Sequence, residues 1–404
     1  MVTRFVGSDR EFVPNSDAFG RTRVSEPRVI FDTKQVGDKR SLFWDDQEAS
    51  GTGTSSTYNV DASLTVLGVG TGAGKRTRQT FRRFNYQPGK SQLIMMTGIL
   101  DTSGGGTGVI QRIGYFDDDN GVFFQNNEGT KQVVVRSNST GSVVNSAVDQ
   151  DDWNIDQLDG TGPSGITVDW TKTQIFFIDF EWLGVGLVRY GIQLGGDTYY
   201  FHIIEHAGVD TLTYMGTPNL PARYEIEQLG TGTAATLTAI CCSILSEGGQ
   251  NPTGILRSES TDGVEVATAV ANTIYAVVGI KLKAAFNGIE VTPKSLSMLS
   301  EAAQADFEWR LLLNPTVAGT FTFGDLANSA VQTAVGAVAN TVTNGTLLRS
   351  GWAKSNTVAE ASAENEVYAL GTAIDGTLDE IVLCVRPLAN NVNIQGTLNW
   401  IERL

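Results

Sequence analysis

The sequence predicts an all-β protein: a jelly-roll or lectin-like β-sandwich with an extended N-terminal arm and a second β domain. Three observations carry that expectation. Glycine is abundant, at 45 of 404 residues, and it is the residue that most easily reverses a chain. Short runs rich in Val, Ile, Phe, Tyr and Thr recur between clusters of Gly, Asn and Asp. The helical repeats that a parallel α/β sheet needs for its crossovers are missing.

Residues 1–58 mix charges, turn residues and spaced aromatics (Phe5, Phe12, Phe19, Phe31, Phe43, Trp44) with no sustained period. They are expected to form an extended arm whose aromatics order by lying on a neighbouring subunit. Residues 59–250 hold the sandwich, in runs such as SQLIMMTGIL, GVIQRIGYF, QIFFIDFEW and ATLTAICCSILS. Gly114–Gln125 reads as a hairpin, with Asn120-Gly121 supplying positive φ angles, and Gly195-Gly196-Asp197 as a second reversal. Polar residues 251–263 are expected to link this domain to a second β-rich one at 264–404, where the Ala-rich stretch 327–339 gives no clear pattern. There Val392, Ile394, Gly396, Leu398 and Trp400 share one side of a half-buried closing strand.

The net charge of −15 is uneven: residues 1–90 carry 14 Lys/Arg against 10 Asp/Glu, leaving 15 against 34 beyond. So acidic a body repels duplex nucleic acid and anionic membranes. Three cysteines and two histidines are too few for a disulfide framework or a His-rich metal site. The first residues lack an apolar h-region, and no long apolar run occurs, so neither a signal peptide nor a membrane span is expected.

Motifs that suggest chemistry fail on spacing. Gly68 to Lys75 resembles a phosphate loop, but Val69 and Arg76 stand where a glycine and a hydroxyl are required. Asp117-Asp118-Asp119-Asn120 resembles the start of a calcium loop without its glutamate. Asp179 and Glu181 sit roughly 7 Å apart on one strand face, a geometry read as structural pairing with an arginine such as Arg189 or Arg223 rather than as a glycosidase pair. His202 and His206, roughly 13 Å apart on a strand, are ordinary histidines. Lys75, Arg76, Arg78, Arg82 and Arg83 with Phe81, Phe84 and Tyr86 have the composition of a single-strand nucleic-acid platform, and are read instead as a basic surface meeting an acidic neighbour. No catalytic residue, cofactor or metal is assigned, and an enzyme is not expected.

Six phrases, in order over residues 17–250, carry a family resemblance: DAFGRTRVSEPRVIFDTKQ, FRRFNYQPGKSQLIMMTG, RIGYFDDDNGVFFQ, QIFFIDFEWLGVGLVRYG, TPNLPARYEI and CCSILSEGG. The chain resembles minor structural, spike or fibre proteins of tailed phages and of large DNA viruses of aquatic hosts. The resemblance implies a virion component assembled in host cytoplasm, a homotrimer with capsid, portal, neck or tail subunits as partners, and a host-surface glycan as the alternative partner. The anchoring residues expected on this reading are Phe19, Arg21, Arg23, Phe31, Arg82 and Arg83. A glycan site would show an exposed aromatic, with Trp153, Trp170, Trp182, Trp309, Trp352 and Trp400 as candidates.

Overall fold

The computed structural model describes residues 16–23, 26–101, 106–249, 253–300, 306–354, 358–362 and 368–403. The chain divides into two compact units, Met1–Asn251 and Pro252–Leu404.

In unit 1 the strands are β1 (Arg28–Thr33), β2 (Trp44–Gly51), β3 (Thr54–Asn59), β4 (Leu64–Val69), β5 (Gly74–Thr80), β6 (Gln92–Ile99), β7 (Val109–Phe116), β8 (Gly121–Asn127), β9 (Thr130–Ser137), β10 (Val144–Asp149), β11 (Gln174–Phe180), β12 (Val188–Leu194), β13 (Asp197–Ile204), β14 (Ala222–Gln228) and β15 (Ala235–Ser246). They make an eight-stranded sheet, β13-β12-β11-β6-β15-β4-β3 with β1 also on β15, and a seven-stranded sheet, β10-β9-β8-β7-β14-β5-β2. The chain passes repeatedly from one sheet to the other, as β4, β5 and β6 do in succession. Such crossing between layers is the habit of a jelly-roll or lectin-like sandwich.

Alternation along each strand builds the core. Phe176, Ile178 and Phe180 of β11 turn inward to meet Ile113, Tyr115 and Phe124 from the other sheet, and each fully buried side chain of this size contributes about 1.5–3 kcal/mol. Phe177 and Asp179 therefore face outward.

The expected arm is corrected. Residues 28–59 supply β1, β2 and β3, which pair with β15, β5 and β4. The signal was weak for a physical reason: β2 and β3 are edge strands, which need little apolar content and carry charge and hydroxyls against misassociation. Phe5 and Phe12 lie outside the described residues.

The β7–β8 hairpin forms, but with a four-residue loop. Asp117 N donates to Asn120 O at 2.8 Å, and the Asp117 carboxylate accepts from the backbone N of Asp119 and Asn120 at 2.9 and 2.8 Å. Only Gly121 takes a positive φ (149°), and a Cβ there would lie 2.1 Å from Phe116 Cβ. Gly195 and Gly196, at φ 61° and 95°, make a two-residue reversal between β12 and β13, the geometry of a primed hairpin turn.

Unit 2 contains β16 (Ile255–Ser260), β17 (Val266–Thr268), β18 (Tyr275–Leu282), β19 (Glu290–Ser300), β20 (Phe307–Leu313), β21 (Thr316–Val317), β22 (Gly324–Asp325), β23 (Val331–Val335), β24 (Val342–Thr343), β25 (Thr346–Ala353), β26 (Val358–Ser362), β27 (Glu380–Pro387) and β28 (Val392–Arg403). A five-stranded sheet has β28 between β16 and β19, a six-stranded sheet runs β22-β23-β18-β27-β20-β25, and β21 pairs β24. On β28, Val392, Ile394, Leu398 and Trp400 are all 2% exposed or less, as the alternation required. Gly396 completes the row because the layers come close there: a Cβ would lie 2.7 Å from Val277 Cγ1. The expected linker is corrected in part: β16, another edge strand, occupies residues 255–260, while residues 251–252 lie outside the described ones. The Ala-rich stretch holds β23.

Candidate functional site

The segment Ser16–Arg23 is tied down on its own chain. Ser16 bridges Thr22, and Asp17 accepts from Arg21 N at 2.8 Å and pairs with its guanidinium at 2.6 Å. Arg23 reaches across to Asp179 on β11 at 2.5 Å. Asp179 is fully buried and also binds Arg189, whose guanidinium donates to Ser16 O at 3.0 Å. Ser91 Oγ and Tyr200 OH donate to the same carboxylate at 2.5 and 3.2 Å. The expected Asp179–Arg189 pair thus exists, and Arg23 joins it.

Phe31 packs on Phe84, Phe43 and Trp44 with ring centroids 5.0, 6.3 and 6.4 Å away. Arg82 lies over Phe84, and Arg83 pairs with Asp117 at 2.5 Å. All six expected anchors therefore have partners within unit 1, Arg21 through Asp17 and Phe19 through Arg21. Phe19, half-buried, and Arg21, exposed and stacked over it at 4.5 Å, remain at the surface.

The basic strand β5 is neutralised from within. Arg76 meets Asp46 at 2.5 Å, and Arg78, 1% exposed, lies over Trp44 and 3.5 Å from the same carboxylate. On the outer face, Arg112 binds Glu225 and Glu227 at 2.5 and 2.9 Å. Arg223 binds Asp118 and Glu225 at 2.7 and 3.1 Å. Burial works against the charge of Glu225, but Arg112 and Arg223 overcome it and hold the carboxyl at about 2. The cations of β5 are thus paired with acids of their own unit. The turn acids Asp117 and Asp118 are likewise taken up by arginines, and among the described residues no group of three His, Cys, Asp or Glu is placed to hold a metal.

Glu181 follows Asp179 by two residues, just past the end of β11. Burial, with the charge of Asp17 adding to it, pushes its carboxyl up to about 7. A glycoside-cleaving pair needs two carboxyls flanking a cleft, whereas Asp179 is sealed beneath Arg23 and Arg189. The preceding outward position, Phe177, packs with Leu93, Met95 and Leu245.

A groove of about 450 Å³ opens elsewhere in unit 1, lined by β9, β10, Ile204 at the end of β13, and residues 205–214. β10 is the last strand of one sheet and β13 of the other, so the groove lies where the sandwich parts at one side. Hydroxyls of Ser137, Ser139, Thr140, Ser146, Thr211 and Thr213 line it. Between them stand aliphatic side chains, among them Val144, Val209 and Leu212, which are 50%, 70% and 51% exposed. Its wall is braced by His206, stacked flat on Tyr214 at 4.1 Å and hydrogen-bonded through Nδ1 to Asp210 at 2.6 Å. Burial lowers the His206 pKa against the opposing pull of Asp210. The neutral ring therefore donates from Nδ1 and holds a lone pair on Nε2, an atom that is buried and finds no partner among the described residues. His202 is separate: it accepts from Asn154 N at 3.1 Å, and burial lowers it to about 4.

Sequence reasoning missed the groove because its hydroxyls read as turn residues. Of the tryptophans proposed as platforms, Trp153, Trp170, Trp309 and Trp400 are buried and Trp182 is half-buried; Trp352 is 62% exposed.

No family model and no curated protein matches this chain. Among solved structures it is similar to an endo-1,3-β-glucanase from Streptomyces sioyaensis (10% identity, 55% of this chain and 96% of that one, TM-score 0.35). It is also similar to lectin I-B4 from Griffonia simplicifolia (12% identity, 54% and 98%, TM-score 0.30), and to the receptor-binding domain of a botulinum neurotoxin mosaic of serotype C/D (9% identity, 77% and 79%, TM-score 0.32). At scores this low the likenesses carry no functional inference.

Proposed function

We propose that this protein is a structural component of a virus particle that recognises a glycan through the groove between β10 and β13 without acting on it chemically. The ordered resemblance of six phrases over residues 17–250 supports the particle role. On that reading the partners are other copies, as a homotrimer, and capsid, portal, neck or tail subunits.

The groove's lining is the observation that carries recognition. Hydroxyls interspersed with aliphatic side chains, beside the carboxylates of Glu205 and Asp210, match the mixed O–H and C–H surface of a neutral sugar, and the volume falls in the range of small-ligand pockets. Asp179 and Glu225, with the arginines around them, are held in ion pairs.

Ser146 is exposed on β10, so Ser146→Trp fills the groove without displacing the core. Wild-type protein is expected to bind neutral oligosaccharides in titrations, and S146W to bind them at least about tenfold more weakly, a change of about 1.4 kcal/mol, with an unchanged melting temperature. Equal binding by both proteins, or no binding of a broad neutral panel by the wild type, would overturn the assignment.

A further inference from the structure

We infer that the outer face of the six-stranded sheet in unit 2 carries a second binding site, for an anionic sugar such as a uronate or sialate, built on Trp352, Arg386, Arg310 and Glu308. It differs from the groove in unit, charge and ligand class, and does not rest on that assignment.

β25, β20 and β27 are neighbours in this sheet, and their register sets Trp352 opposite Glu308 and Glu308 opposite Arg386. Three side chains thus form one row across three strands. Phe307, Trp309 and Leu311 point into the core, so Glu308 and Arg310 project from the other face. Trp352 is 62% exposed, an unusual place for the side chain with the largest apolar area.

The charges around it are built rather than loose. Glu308, with its side chain 8% exposed, holds Arg386 at 2.7 Å and Arg310 at 2.9 Å on a single carboxylate oxygen. The Arg386 guanidinium also stacks 5.5 Å from the Trp352 ring. A guanidinium has five N–H donors, and these two remain 29% and 24% exposed. Two guanidiniums thus share the one carboxylate of Glu308, in a chain of net charge −15.

Each part selects one feature of the ligand. The indole offers a flat face to the C–H side of a pyranose ring, and the guanidiniums offer planar forks to a carboxylate. A neutral sugar would use the ring and leave the forks idle. An acidic peptide would use the forks and leave the ring idle.

The test is titration of the full chain with 3′-sialyllactose and a hyaluronan oligosaccharide, with lactose as the neutral comparison, following intrinsic fluorescence. The acidic sugars are expected to perturb tryptophan emission and to bind at least about tenfold more tightly than lactose, an advantage that shrinks as salt rises. Trp352→Ala should abolish the fluorescence change and weaken binding about tenfold without shifting the melting temperature, since the ring supports no core. Arg386→Gln should remove the preference for acid over lactose. Equal affinity for lactose, binding that survives W352A, or an effect of W352A on self-association alone would each overturn the site.

Discussion

Replacing Asp179 with alanine is expected to destabilise unit 1 by about 3–5 kcal/mol, the cost of removing one partner from a buried ion pair. The carboxylate is fully buried and is shared by Arg23, Arg189, Ser91 and Tyr200. Its removal takes a directly bonded counter-charge from the Arg189 guanidinium, 4% exposed. The segment Ser16–Arg23 should loosen as well, because Arg23 is its principal tie to β11. Urea denaturation measures the first effect, and faster proteolytic cleavage within residues 16–23 measures the second. Arg21→Ala is the control: its side chain is 54% exposed, so losing its pair with Asp17 should cost no more than about 1 kcal/mol. A loss below about 1 kcal/mol for D179A would show that the network does not hold the segment.

Glu225→Ala should be comparably costly, at about 3–5 kcal/mol, for the same reason on the other sheet. Arg112 and Arg223 both bind this carboxylate, and all three groups are buried. Asp118, 62% exposed, shares Arg223, yet Asp118→Ala should cost no more than about 1 kcal/mol because water screens it. Glu225 also predicts a pH dependence. Its carboxyl lies at about 2 in the folded protein against the ordinary value of 4.5, so the folded state binds its proton less readily than the unfolded chain. The stabilisation is complete above pH 4.5 and is lost as pH falls toward about 2. Denaturation curves across that window should show a smaller acid-induced loss for Glu225→Gln than for the wild type.

Where a strand is central and its two faces differ, the pattern was legible: β28 alternates as the sequence indicated, and β11 separates Phe176 and Ile178 from Phe177 and Asp179. Edge strands were not. β2, β3 and β16 carry Ser, Thr, Asp and Glu where a central strand carries Val and Ile, so they read as arm or linker. Asp179–Arg189 could be anticipated because a hairpin sets neighbouring strands in register, here Asp179 opposite Arg189. Arg23, 156 positions away from Asp179, gave no local signal. The groove joins Ser137–Ser146 to Ile204–Tyr214 through two sheet edges, a juxtaposition that only the folded topology creates. Nor did composition separate Trp352 from the buried tryptophans, since burial depends on which face of β25 meets the other layer.

The central claim, that this protein belongs to a virus particle, is tested most directly by absolute quantification of the chain by mass spectrometry in gradient-purified particles, against the major capsid protein. The account predicts that the chain co-purifies at a fixed ratio. Hundreds of copies per particle would mean a capsid-covering protein, and a few to a few dozen a spike, neck or tail part. Absence from purified particles would contradict it.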